Sequence, residues 1–326
     1  MPQIMIPAKD DLTICFAHVA YQLGLRFAAR NRGVRHFQVT SFKDLESRLG
    51  EADVLVVSGL WRNDLLGHAG KLKYIQSIGA GTDQFSRELL ASKSIRLASA
   101  RGVNAHAVSE HAMALILALA RKLPEARDNQ TKHHWRGMIS DLEVREDELF
   151  DKALFVVGLG AIGNRLAKLA KAFEMRVLGF RKNLAMGEGA ADSVHTTSDL
   201  KSLVSEADYV ALTCPLTEET HHLINEDVLA RMKPSAFLIN VARGACVDEA
   251  ALVGALMRGA IAGAGLDVAA QEPLPASSPL WSIPSVLITP HTAGETRRYE
   301  DCVLDILEEN LGRLWSGKSL LHNQIV

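Results

Sequence analysis

Little in this chain points to disulfides, membranes or nucleic acids. Its cysteines, Cys15, Cys214, Cys246 and Cys302, are scattered, with no CxxC pair. That spacing offers neither a disulfide framework nor a cysteine zinc site, and without a secretory leader the thiols are expected to stay reduced in the cytoplasm. Long apolar runs are missing as well. The longest, Ala112–Ala120, has nine residues between Glu110-His111 and Arg121-Lys122. A membrane span needs about 20, so this run reads as a buried helix. An excess of positive charge is also lacking. With 36 Lys+Arg against 38 Asp+Glu the net charge is -2, which leaves no strongly basic face for nucleic acid. What remains is ordinary globular composition, 48% apolar and 23% charged over 326 residues, enough for two domains.

The decisive segment is Gly158-Leu159-Gly160-Ala161-Ile162-Gly163 in its setting. Ala153-Leu154-Phe155-Val156-Val157 before it reads as a buried parallel strand. Asn164 to Ala170 after it has apolar residues at helical spacing. A GxGxxG alone is a weak signal, but strand–GxGxxG–helix is the dinucleotide-binding fingerprint. Gly158 permits the tight turn, Gly160 lets backbone approach a pyrophosphate, and Gly163 lets helix lie close on strand. The N–H groups that open the new helix, around Ala161 and Ile162, are then free for phosphate.

The first hundred residues alternate strand-like segments (Val54–Val57, Tyr74–Ile78) with helix-like ones (Phe42–Leu49, Ser86–Ala91). Such alternation predicts parallel sheets with helices on both faces. A long helix is expected from Asn104 to about Leu123, ended or interrupted by Pro124. Further strands are expected at Arg176–Phe180, Tyr209–Thr213, Phe237–Asn240, Gly263–Val268 and Val286–Thr289, and a last, polar helix from near Glu295. The expected architecture is α/β: a doubly wound Rossmann dinucleotide domain, 104–292, inserted into a smaller flavodoxin-like α/β substrate domain made of 1–103 and 293–326. The substrate cleft is expected where the two meet, with the chain crossings as hinge.

Several motifs lead nowhere. Gly312-Arg313-Leu314-Trp315-Ser316-Gly317-Lys318-Ser319 matches GxxxxGK[ST] literally, but a helix precedes it, where a P-loop needs a strand before and a helix after. Asn129-Gln130-Thr131 fits a glycosylation triplet that a cytoplasmic chain would not present. The pairs His133-His134 and His221-His222 lack the spacing of a zinc site.

Three segments close predicted strands after the fingerprint. They are Asn240-Val241-Ala242-Arg243-Gly244, Gly265-Leu266-Asp267-Val268 with Gln271-Glu272-Pro273, and Thr289-Pro290-His291-Thr292-Ala293-Gly294. Carboxyl ends of strands line the ligand crevice of a doubly wound sheet, so Arg243, Glu272 and His291 can converge. Together with Ser77-Ile78-Gly79-Ala80-Gly81-Thr82-Asp83 and Gly102-Val103-Asn104, the order of motifs from about 50 to 312 resembles the D-isomer-specific 2-hydroxyacid dehydrogenases.

That resemblance implies an NAD(P)-dependent enzyme interconverting 2-keto acids and D-2-hydroxy acids, of the glyoxylate/hydroxypyruvate type. Arg243 would bind carboxylate and ketone oxygen through its planar fork. His291 would supply the proton. Glu272 would hold the imidazole and stabilise its positive charge. The N–H groups of Ala80 and Gly81 would form a second carboxylate site. Val108, Thr213-Cys214-Pro215, Val241, Ala242, Asp267 and Gly294 would border the cofactor, Trp61 and Arg62 could line the pocket, and Trp135 would sit on a dimer arm, Arg127–Gly137. The apolar excess of Ala112–Ala120 also suggests a homodimer.

One departure from the family pattern is Asp151-Lys152, where glycine-lysine is usual before the fingerprint strand. Another concerns the cofactor. Arg181 stands 23 residues after Gly158, followed by Lys182 and Asn183, where the ribose-binding acid of an NAD enzyme is expected about 20 on. Arginine suits a 2′-phosphate, so NADP is the expected cofactor, with NAD possible if Arg181 only stacks on adenine. A dehydrogenase for another small acid, such as phosphite, and a dinucleotide-sensing scaffold are the rival readings.

Overall fold

The computed structural model describes residues 6–182, 189–196 and 199–326; Asn183 lies outside them. The chain forms two compact units, one from the residues up to Val103 together with Thr296–Val326, the other Asn104–Glu295.

In the first unit, β1 (Thr13–Ala17), α1 (Leu23–Ala29), β2 (Arg35–Val39), α2 (Phe42–Arg48), β3 (Val54–Val57), β4 (Tyr74–Ser77), α3 (Arg87–Ser92) and β5 (Arg96–Ala98) follow in order. The strands are parallel, in the order β2-β1-β3-β4-β5, which is the flavodoxin-like winding. Alternate residues of each strand feed two cores. Ile14, Phe16, Val54 and Val56 meet α1 and the C-terminal helix Tyr299–Trp315 on one face. Cys15, Ala17, Leu55 and Val57 meet Leu45, Leu90 and Trp61 on the other. Trp61 is only 4% exposed and stacks on Phe85 at 5.4 Å. It packs in the core of this unit and is not a surface loop, and Arg62 beside it lies over the Phe42 ring.

The second unit opens with α4 (Ala105–Ala120) and α5 (Leu123–Thr131). The break between them comes at Arg121–Lys122, before the expected place, because Lys122 takes a left-handed conformation (φ 49°). Pro124 sits in the first turn of α5 instead of ending a helix, a position where its missing N–H is not needed. Then come β6 (Ala153–Val157), α6 (Ala161–Ala172), β7 (Arg176–Phe180), β8 (Ser193–His195), α7 (Leu200–Glu206), β9 (Tyr209–Leu212), α8 (Glu226–Leu229), β10 (Phe237–Asn240), α9 (Glu249–Met257), β11 (Gly263–Leu266) and β12 (Val286–Ile288). All pairings are parallel, in the order β12-β11-β10-β9-β6-β7-β8. From β8 inward this is the doubly wound Rossmann winding.

Every residue of β6 is buried, as a strand covered on both faces requires. Phe155 and Val157 face the core under α7, α8 and α9. Leu154 and Val156 face α4 and α6. The apolar surplus of α4 is therefore largely used within its own unit: Ala112, Met113, Leu115, Ile116, Leu119 and Ala120 are all buried there. The C-terminal helix starts at Tyr299, a turn later than Glu295. Gly312 to Trp315 lie inside that helix, so no strand leads into the GxxxxGK[ST] match. Among the described residues no helix is long and apolar enough to cross a membrane, and no group of acids, histidines and cysteines could hold a metal.

Candidate active site

β6 delivers the chain to Gly158, whose φ of 103° lies in the left-handed region that side chains rarely adopt. A Cβ there would stand 2.7 Å from the Cys214 backbone, and one on Gly163 would stand 2.2 Å from the Gly158 carbonyl. Both positions accept only glycine. The Thr213 hydroxyl donates to the Gly158 carbonyl at 2.7 Å, so the loop after β9 is tied to the fingerprint turn, with Cys214 buried against it and Pro215 following. Gly160 is exposed, with open space where a Cβ would be, and Ala161 and Ile162 begin α6 beside it. An open, side-chain-free turn at the start of a 12-residue helix fits a pyrophosphate.

At the end of β7 Arg181 is 8% exposed, and its Nη2 donates to the Leu159 carbonyl of the fingerprint. Lys182 stays largely exposed and pairs with Glu219 at 2.5 Å. Val241 and Ala242, after β10, are buried. Asn240 shapes this bend: its Oδ1 accepts from the Ala242 N–H at 3.0 Å and its Nδ2 donates to the Arg243 carbonyl at 3.0 Å. Arg243 is extended and half-buried, its Nη1 donating to the Ala242 carbonyl at 2.7 Å. A Cβ on Gly244 would lie 1.9 Å from the Ala269 carbonyl, so the Arg243 loop runs directly against the segment that leads to Glu272.

Glu272 accepts from the Ala269 N–H at 3.1 Å through Oε1, and its Oε2 lies 2.7 Å from His291 Nδ1. With Nδ1 engaged, His291 has Nε2 as its second polar atom. His291 itself has φ 55°, and its N–H donates to the Asp267 carbonyl at 2.8 Å. The Asp267 carboxylate, 2% exposed, accepts from the Thr289 hydroxyl at 2.6 Å and from the N–H groups of Thr292 and Ala293 at 3.0 and 3.1 Å. Its oxygens therefore hold the turn that carries His291. Val108 is buried on α4, and a Cβ on Gly294 would lie 3.2 Å from the Asn104 side chain.

A cavity of about 430 Å³ adjoins Glu272 and His291, walled by Leu274, Leu280, Trp281 and Ile288. Sequence reasoning missed His111 altogether and gave Thr289 no role. His111 Nε2 lies 2.9 Å from Thr289 Oγ1. A polar residue three places after Val108 on an apolar helix was the available signal.

In the other unit, β4 runs into the Gly79-Ala80-Gly81 loop. This loop is pinned by the Tyr299 hydroxyl donating to the Ile78 carbonyl at 2.7 Å and by the Ala100 N–H donating to Gly79 at 3.0 Å. Ala80 is exposed and Gly81 half-buried.

A Rossmann-wound sheet with a glycine fingerprint, closed by an arginine loop and a histidine–glutamate pair, defines a dinucleotide-dependent oxidoreductase. Comparison with known proteins narrows the class. The profile of the D-isomer specific 2-hydroxyacid dehydrogenase NAD binding domain matches residues 113–293. Glyoxylate/hydroxypyruvate reductase B of Pectobacterium carotovorum is 38% identical over 289 residues, covering 85% of this chain and 89% of the relative. Among solved structures, a D-isomer specific 2-hydroxyacid dehydrogenase family protein from Aeromonas salmonicida superposes with TM-score 0.84 at 31% identity, covering 97% of this chain and 99% of that one. An acyclic imino acid reductase in complex with NADPH and D-Arg superposes with TM-score 0.84 at 25% identity, covering 97% and 100%. The chain belongs to the D-isomer-specific 2-hydroxyacid dehydrogenase family, as its motif order implied, and it is a dehydrogenase with an NAD-binding domain.

Proposed function

We propose that the enzyme reduces a small 2-keto acid, glyoxylate or hydroxypyruvate foremost, to the D-2-hydroxy acid, using NADPH in preference to NADH. The observation that carries this reading is the 2.7 Å contact of Glu272 with His291, beside the loop of Arg243. When bound, the nicotinamide dinucleotide supplies the hydride. Arg243 binds the substrate carboxylate and the ketone oxygen, polarising the carbonyl. His291 passes a proton from Nε2 to that oxygen as alkoxide character develops, and Glu272 steadies the charged ring beforehand through Nδ1. Ala80 and Gly81 offer N–H groups as a second carboxylate anchor.

Gly158, Gly160, Ala161, Ile162 and Gly163 are assigned to the pyrophosphate. Arg181 and Lys182 are assigned to the adenosine side. Val108, Thr213, Cys214, Pro215, Val241, Ala242, Asp267 and Gly294 are assigned to the rest of the cofactor, Asp267 also acting behind the His291 turn. The unit Asn104–Glu295 is thereby the dinucleotide domain and the other unit the substrate domain.

The assembly we propose is a homodimer formed through the arm Arg127–Gly137. Trp135 is 98% exposed there, and Met138 and Leu142 are exposed as well. Light scattering at micromolar concentration should give the mass of two chains; a monomer would remove the dimer. The cysteines are free thiols, which supports a cytoplasmic setting.

NADPH and NADH oxidation measured against glyoxylate, hydroxypyruvate, pyruvate, phenylpyruvate and branched keto acids tests the whole reading. Turnover is expected for the smallest acids. Cofactor binding without turnover of any of them would point to a dinucleotide-sensing scaffold instead.

A further inference from the structure

Under the His291 turn runs a chain of polar groups of which the proposed chemistry uses only the last, Asp267. His111 stands on α4 among buried neighbours, Ala112, Met113 and Leu115, and its ring is 24% exposed. Its Nε2 lies 2.9 Å from Thr289 Oγ1, which in turn lies 2.6 Å from Asp267 Oδ1. Nε2 is itself 3.6 Å from that carboxylate oxygen, beyond hydrogen-bond reach. The direction of the chain follows from valence. An ionised carboxylate only accepts, so the single hydroxyl proton of Thr289 goes to Asp267, and the hydroxyl oxygen must accept from an Nε2–H. The order is imidazole to hydroxyl to carboxylate.

The far end of this chain is the turn that carries His291. The N–H groups of His291, Thr292 and Ala293 all converge on Asp267, the first on its carbonyl and the other two on its carboxylate. His291 sits at φ 55°, a left-handed conformation that costs a non-glycine residue energy. Such strain persists only where the surroundings over-determine it. Asp267 supplies that determination, and the Thr289 hydroxyl, held by His111, fixes the rotamer of the Asp267 side chain.

We propose that His111 is a positioning residue for proton transfer: through Thr289 it locks the Asp267 carboxylate in the orientation that grips the 291–293 turn, and so sets where the His291 ring stands. The inference rests on the reading of His291 as the proton donor. Loss of the imidazole leaves the Thr289 oxygen without its donor, so the hydroxyl that donates to Asp267 is no longer held from behind, and the carboxylate keeps only the grip of the turn it is meant to place. A misplacement of about 1 Å at a reacting group is enough to cost up to about a hundredfold in rate.

The test is steady-state kinetics of the full chain on the best keto acid of the panel, with NADPH affinity read separately by fluorescence. His111→Leu should lose at least about tenfold in kcat while the NADPH Kd stays within about twofold. His111→Gln, which keeps an N–H at the end of the side chain, should stay within about threefold of wild type in kcat. Thr289→Val should behave as His111→Leu and Thr289→Ser as wild type. The double variant His111→Leu/Thr289→Val should be no worse than the worse single, because both cut one chain.

Unchanged kcat in His111→Leu, or a loss that glutamine does not rescue, overturns the proposal. Should His111→Leu fail to fold, the Thr289 pair decides it alone: loss in valine and retention in serine support the chain, and equal behaviour of the two overturns it. His291→Asn is the control. If it stays fully active, the proton-donor reading fails; if it is inactive while His111→Leu and Thr289→Val both turn over normally, that reading stands and the positioning role alone falls.

Discussion

Glu272 and His291 are separated by 19 residues in sequence, yet their Oε2 and Nδ1 atoms lie 2.7 Å apart. The contact fixes which face of the imidazole is committed to the protein and leaves Nε2 for chemistry. His291→Asn should therefore lower kcat by at least about a hundredfold with the cofactor Kd close to wild type. Glu272→Gln can still touch the ring but carries no charge to steady it, so a loss of about tenfold in kcat is expected. A fully active His291→Asn enzyme in the same assay would sink the assignment.

For Arg243 the expected signature is different. One guanidinium nitrogen already donates to the Ala242 carbonyl, which orients the fork, and the remaining N–H groups are there for a planar, two-point grip. Arg243→Lys keeps the charge and loses that geometry. KM for the keto acid should rise and kcat should fall together, each by about tenfold or more. An effect confined to the cofactor Kd would mean that Arg243 faces the dinucleotide.

The proposed preference for NADPH turns on Arg181. Its Nη2 is engaged by the Leu159 carbonyl, which places the guanidinium beside the fingerprint. An arginine cannot accept from ribose hydroxyls but can donate to a 2′-phosphate. One charge-assisted hydrogen bond contributes about 1.5–3 kcal/mol. A preference for NADPH of at least about tenfold in kcat/KM follows, with Arg181→Asp reversing the order. Equal use of the two cofactors by the wild type would leave Arg181 a stacking role only.

Asp151 offers a stability test free of the chemistry. It occupies a left-handed position, φ 59°, just before β6. Asp tolerates that region better than most residues but still costs more than glycine there. Asp151→Gly should stabilise the protein by up to about 1 kcal/mol, raising Tm by roughly 2–4 °C, with kcat unchanged. A lower Tm would show that the aspartate side chain holds the turn.

The same position shows what a sequence can disclose. The motif order flagged Asp151-Lys152 as odd, and the backbone gives the reason: a left-handed turn filled by a residue that tolerates it. β6 and β3 were legible to the residue, since strands buried on both faces leave unbroken apolar runs. β8 was not, because three half-buried residues, Ser193–His195, carry no period. Pro124 misled because proline is read as a terminator although the first turn of a helix accepts it. The burial of Trp61 was not legible, because an indole after a strand packs into a core as readily as it stays on a loop. The His111–Thr289–Asp267 chain was hidden for another reason: 178 residues separate its first two members, and no local pattern marks that a hydroxyl and an imidazole will meet.

Lys122 bends the chain between α4 and α5, and its Nζ donates to the Val144 carbonyl, where the returning arm passes. One residue thus sets both the direction in which the arm leaves and the place where it is fastened on its way back. Upstream of it, α4, which carries Val108 and His111, buries one broad face, while the described side chains between it and Val144 are largely exposed. Such an arrangement is modular. A change on the arm's exposed surface leaves the two ends of its mooring, one side chain and one carbonyl, where they are.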